Sequence, residues 1–153
     1  MHLPMESVHP LIVHFPIALL LTAFWLDVAA VVLRRDTLHR VSFWNLALGV
    51  LGAGAAVLSG LRAEEIAKHS FEIHEVIELH ERMGIITLIL GLMWLGWRIM
   101  KRDRLGPAAR LASLALGAAM VSTLTVGAYL GGRLVYEFGV GGTFGQPANT
   151  SNP

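Results

Sequence analysis

Two histidines, five residues apart, open the first apolar run of the chain in His9-Pro10-Leu11-Ile12-Val13-His14-Phe15-Pro16. A second histidine-bearing stretch, with His69, His74 and His80, leads into another apolar run. Burying an imidazole without a partner in an apolar surrounding is costly, so histidines at such places call for a function or a partner. His80, Gly84, Thr87 and Gly91 follow an i, i+4, i+7, i+11 spacing and share one helical face. A histidine above a row of small side chains leaves room for a flat cofactor. Haem b asks for this: an axial imidazole and space for the macrocycle. His14 and His80 are the expected axial ligands, with Pro16 removing a helical hydrogen bond that would otherwise fix the His14 ring. Arg133 or Arg82 is placed to pair with propionates, since guanidinium favours bidentate contact with carboxylates. The competing reading makes His14 and His80 interfacial residues bonded to each other or to water.

A second constellation is His74, Glu78 and Glu81 at i, i+4, i+7. One imidazole with two carboxylates suits zinc, iron or manganese. Together with His9, these residues form an alternative non-haem set for a zinc, iron or copper ion. Neither H-E-x-x-H nor E-x-x-H is present, and a solvated charged helix face explains the same residues. Asp27 lies well inside the first apolar run, where an ionisable group is a functional candidate by default. Ser42, Asn45 and Arg34 are its expected partners. There is no cysteine, which excludes thiolate ligands, iron–sulfur clusters and covalent haem attachment. No phosphate-cradling loop and no Ser–His–Asp order stand out. Electron transfer or binding is therefore favoured over stand-alone enzymatic activity.

The elements that must position these groups are membrane helices. Of the 153 residues 54% are hydrophobic and only 15% charged, far from a soluble domain's balance. A net charge of +1 gives no electrostatic case for nucleic acid. Four apolar runs, about Leu11 to Leu33, Val41 to Leu61, Met83 to Ile99 and Ala108 to Leu130, each approach the roughly 20 residues that span a hydrocarbon core. Helices satisfy their own backbone in lipid, so an all-α four-helix transmembrane bundle is expected over residues 1–142. The start has no basic n-region and no cleavage site after its apolar run, and reads as a retained helix. Arg34, Arg35 and Arg40 in the first loop, and Arg98, Lys101, Arg102, Arg104 and Arg110 around the third, put those loops in the cytoplasm. Both termini, the middle loop, and His9, His14, His69, His74 and His80 then lie on the outer side of a plasma membrane.

A parallel repeat of two hairpins is suggested by Leu46-Ala47-Leu48-Gly49 and Leu114-Ala115-Leu116-Gly117, a register that brings His14 opposite His80. Rows of small residues, Gly52/Ala56/Gly60 and Gly127/Gly131, allow close helix approach. The glycine-rich run from Gly131 to Gly142 argues for a loop after the fourth helix. The polar tail, 143–153, reads as disordered.

The opening His9-Pro10-x-x-Val13-His14-Phe15-Pro16-Ile17 and the closing Gly132-Arg133-Leu134-Val135-Tyr136 with Gly139-Val140-Gly141 resemble a bacterial four-helix membrane domain family of unknown function. The resemblance covers nearly the whole chain. Members resemble cytochrome b modules in layout, and some relatives are joined to cytochrome c or Rieske-type domains. The resemblance therefore implies respiratory electron transfer, with His9, His14 and the Gly-Arg segment as the matched positions. The expectation is a haem b protein of the bacterial plasma membrane passing electrons between a quinol or membrane partner and an outer-side carrier. A homodimer or a place in a larger complex fits its small size. A metal-binding or transport protein and a structural subunit are the competing classes.

Overall fold

The computed structural model describes residues 5–66, 71–101 and 106–140. They form four α-helices: α1 (Met5–Leu33), α2 (Asp36–Ile66), α3 (Phe71–Met100) and α4 (Pro107–Tyr136). All four are long and apolar enough to cross a membrane. At 1.5 Å per residue a helix of 30 residues reaches about 45 Å, beyond the roughly 30 Å hydrocarbon core, so helix ends project into the headgroup zones. The helices are apolar on every side, not on one stripe. Leu11, Trp25, Trp44, Leu51, Leu111 and Tyr129 are all more than 60% exposed, a surface that only lipid covers favourably. His69 and the tail, 143–153, lie outside the described residues.

Packing partners show an up–down–up–down bundle in which α1 pairs with α2, α3 with α4, and the hairpins meet through α2/α3 and α1/α4. The two hairpins repeat each other with a shift of 71 positions. His9 and His80 occupy equivalent places at one end, and Asp27 and Arg98 at the other. Between them the layers match in position but exchange size. In the first hairpin Leu20 fills the space left by Gly49; in the second, Met120 reaches to Gly91. Ala23 and Leu46 are fully buried, and their counterparts are Trp94 and Gly117, which touch. Pro16 packs on Gly52, where the other hairpin sets Thr87 and Thr123 hydroxyls 2.9 Å apart. Large faces small in each layer, as close-packed interiors require. The repeat is parallel, as the Leu-Ala-Leu-Gly match suggests, but in a different register. Leu46 is equivalent to Gly117, not Leu114, and His80 to His9, not His14. The tetrapeptide is common membrane composition and does not mark the alignment.

The helices overrun the apolar runs at most ends because polar residues there continue them into the headgroup zone. The longest extension is at the start of α3, which begins at Phe71 and not Met83, and α4 runs on through an expected loop. A loop was expected after Leu130, yet the helix continues through Gly131 and Gly132 to Tyr136. Gly131 makes room inside the helix: a Cβ there would lie 3.0 Å from His80 Cε1. The chain turns at Gly139, whose φ of +66° favours glycine, with Val140 N–H donating to Leu134 O at 2.8 Å. The α1–α2 turn is only Arg34-Arg35. Arg35 N–H donates to Ala30 O at 3.1 Å, and Arg34 takes the left-handed position (φ 53°) that glycine usually fills.

Candidate functional site

The histidine end is built twice over. In the first hairpin, α1 lays the His9 ring across Gly60, where a Cβ would come within 3.2 Å of Cε1. In the second, α3 lays His80 across Gly131 in the same way. At both places a Cβ would be tight, and the ring would have to shift by a few tenths of an ångström to admit it. His80 Nδ1 lies 2.8 Å from Gly127 O. A carbonyl only accepts, so Nδ1 carries a proton, and in the neutral ring Nε2 keeps its lone pair. His9 Nδ1 lies 2.9 Å from Ser59 Oγ, and that hydroxyl donates its own proton to Ala56 O at 2.8 Å. Ser59 therefore accepts from His9, which fixes the same tautomer. Both imidazoles are half-buried, and their ring centres stand 6.2 Å apart with planes at 89°.

This is the arrangement that metal-ligating histidines show: Nδ1–H anchored by an oxygen acceptor, Nε2 free to bind. A cofactor that asks the protein for two imidazole nitrogens would find them here in His9 and His80, whose rings are near neighbours. Room beside the pair comes from Gly84, where an added Cβ would meet nothing nearer than Val57 Cγ2 at 3.9 Å. The two nitrogen donors and the small residue beside them are compatible with a cofactor held by two imidazoles.

Burial and the neighbouring His80 both depress the His9 pKa, against an opposing hydrogen bond donated by the ring to the Ala56 backbone carbonyl. The neutral imidazole is thus the folded form, and the unfolded chain binds more protons below pH 6.5. Packing of His9 is at full strength above that pH and weakens as pH falls below it. For protein prepared without bound metal, thermal unfolding in detergent should show Tm falling from pH 7.5 to 5.5. The fall should be shallower in His9→Gln; an equal fall would mean that other groups set the acid sensitivity.

The remaining expected residues lie elsewhere. His14 is exposed, and lies about 140° around α1 from His9 at 100° per residue, so it does not share the face that meets His80. The imidazole that the structure sets beside His80 is His9, not His14. His74 and Glu78 are exposed, and Glu78 pairs with Arg82 one turn on. Among the described residues no three of His, Asp or Glu gather closely enough to hold a metal ion, so the set His9, His74, Glu78 and Glu81 does not converge. Arg133 pairs with Glu137 at 2.8 Å, and its guanidinium lies 6.0 Å from the Phe138 ring centre.

The opposite end holds a cluster that the sequence reading did not assemble. Asp27, Arg98 and Ser42 are at most 1% exposed and His39 is 5%. Arg98 Nη1 donates to Asp27 Oδ1 at 3.1 Å and to Ser42 Oγ at 2.9 Å, while Nη2 donates to His39 O at 2.7 Å. His39 Nδ1 also lies against Asp27 Oδ1, and Phe43 covers the guanidinium. Asp27 thus pairs with neither Arg34 nor Asn45, whose amide bonds Val41 O instead. Arg98 was read as a loop charge; it is a buried ion-pair partner joining the hairpins. The available signal was the 71-residue spacing, which also relates Ser42 to Ser113 and Gly60 to Gly131.

No curated protein and no solved structure matches the chain at a significant level. A family model matches residues 5–143, from the start of α1 to just beyond the closing turn. The four spanning helices and that match together place the chain in the family described as Predicted membrane protein (DUF2231).

Proposed function

We propose that this protein is a membrane-bound, cytochrome b-like electron carrier holding haem b between His9 and His80. The observation that carries the reading is the pair itself: equivalent imidazoles, each anchored through Nδ1, with centres 6.2 Å apart. A macrocycle brings four nitrogens of its own and asks the protein for two. His9 and His80 would supply them, and Ser59 and the Gly127 carbonyl orient the rings. Gly60 and Gly131 seat the two rings, and Gly84 leaves space one turn on from His80. Bound haem would supply one-electron chemistry. Arg133 and Arg82 stand at the same end and are candidates for the propionates. On this reading the partners are a quinol or other membrane donor and a carrier on the outer side. The distribution of arginines, which favours the first and third loops in the cytoplasm, supports that placement.

The test is an absorption spectrum of detergent-purified protein made in haem-replete cells, oxidised and then dithionite-reduced. A Soret band with sharpened reduced α and β bands is expected. His9→Ala and His80→Ala should each abolish or shift it, and His14→Ala should leave it unchanged. A colourless protein with stoichiometric zinc, iron or copper would move the two nitrogens to a bare-metal role. Colour retained in both ligand variants would overturn the assignment.

A further inference from the structure

The arginine end carries a cleft that the histidine site does not use. It is an open cleft of about 600 Å³ where the end of α1 meets the start of α4, and is lined by Val31, Arg34, Asp36, Arg110, Leu111 and Leu114. Its chemistry divides in two. Leu111, Leu114 and Val31 give an apolar wall. Arg34 and Arg110 give two guanidinium groups. Among the described residues neither makes an ion pair, and the buried Nε of Arg110 has no hydrogen-bond partner. A buried donor left without an acceptor is costly, and an acceptor from outside the chain would satisfy it. Arg34 also holds a left-handed conformation at a helix end where glycine is the usual residue. That choice keeps a cation at the cleft at the expense of local strain. Asp36 belongs to the first turn of α2, so the cleft's side chains carry a net charge of +1, which a single anion neutralises. The α4 helix opens at Gly106 without a side-chain cap, which leaves further amide donors beside the cleft.

We infer that this cleft binds the headgroup of an anionic phospholipid. The phosphate meets Arg34 and Arg110, and one acyl chain runs along Val31, Leu111 and Leu114. Basic pockets between spanning helices at the membrane surface select anionic headgroups in this way, and a phosphate accepts two guanidinium groups readily. The apolar wall favours a lipid over a free anion. This inference is independent of the histidine site.

The test is native mass spectrometry of the full chain, released from detergent micelles containing phosphatidylglycerol or phosphatidylcholine with identical acyl chains. One retained phosphatidylglycerol is expected, at least tenfold more abundant than the phosphatidylcholine adduct. Arg34→Gln/Arg110→Gln should remove the preference. Arg34→Gln alone, at an exposed turn that does not threaten folding, should reduce it several-fold. Equal retention of the two lipids would overturn the inference, as would a preference unchanged in Arg34→Gln. Competition by millimolar inorganic phosphate that empties the site would also overturn it, by assigning the cleft to a free anion.

Discussion

Replacing Arg98 by methionine is expected to cost the bundle about 3–5 kcal/mol, the usual penalty for removing one partner of a buried ion pair. Methionine keeps most of the side-chain volume, so the loss reports charge and not a cavity. It leaves Asp27 fully buried, with Oδ2 already lacking a partner among the described residues. It also strips donors from Ser42 Oγ and the His39 carbonyl. The companion variant Asp27→Leu/Arg98→Met removes both charges. Exchange of a buried pair for apolar residues of similar size is often neutral, so the double variant should recover most of the loss. Thermal or denaturant unfolding in detergent measures both. A double variant as unstable as the single one would show that the guanidinium acts through Ser42 and His39, not through the carboxylate.

Trp94→Ala is the second large effect, expected at about 3–5 kcal/mol as for other buried tryptophans. The ring is fully buried, its Nε1 donates to Ser113 Oγ at 2.8 Å, and it fills the hollow over Gly117. Gly117→Leu is expected to destabilise by overpacking, because even a Cβ there lies 2.9 Å from Phe24 Cδ2 and 3.1 Å from the indole. The pair together should do better than either alone. Alanine at 94 with leucine at 117 reproduces the layer that Ala23 and Leu46 already form in the first hairpin. Recovery of half the Trp94→Ala loss or more is expected in the unfolding midpoint. No recovery would mean that the two layers share positions but not shapes.

These expectations rest on contacts that the chain reveals unevenly. The spanning helices were legible because length and apolarity alone decide them, whatever the partner. Their ends were not, because polar residues extend a helix into the headgroup zone without changing its hydropathy. His80 was legible from the small residues stacked below it on one face. Its partner was not. His9 and His14 both stand at the mouth of α1, and choosing between them needs the rotation of α1 relative to α3. Proximity to the apolar run favoured His14; packing on Gly60 sets His9 beside His80. Arg98 was hidden for a related reason. At the end of an apolar run an arginine reads as a topological anchor. Only its equivalence to Asp27 turns it into an interior partner.

The charge exchange between equivalent positions also bears on how the chain is made. A bundle of two copies of the first hairpin would place Asp27 against Asp27, and two copies of the second would oppose Arg98 to itself. Neither half can pair with its own duplicate without burying like charges, so each selects the other. During synthesis α1 and α2 emerge first, with the Asp27 carboxylate accompanied by His39 but not yet by its guanidinium. The first hairpin therefore enters the bilayer with an unmet demand that α3 satisfies on arrival. The Asp27–Arg98 pair thus favours assembly of the complete four-helix chain over pairing of either hairpin with its own kind.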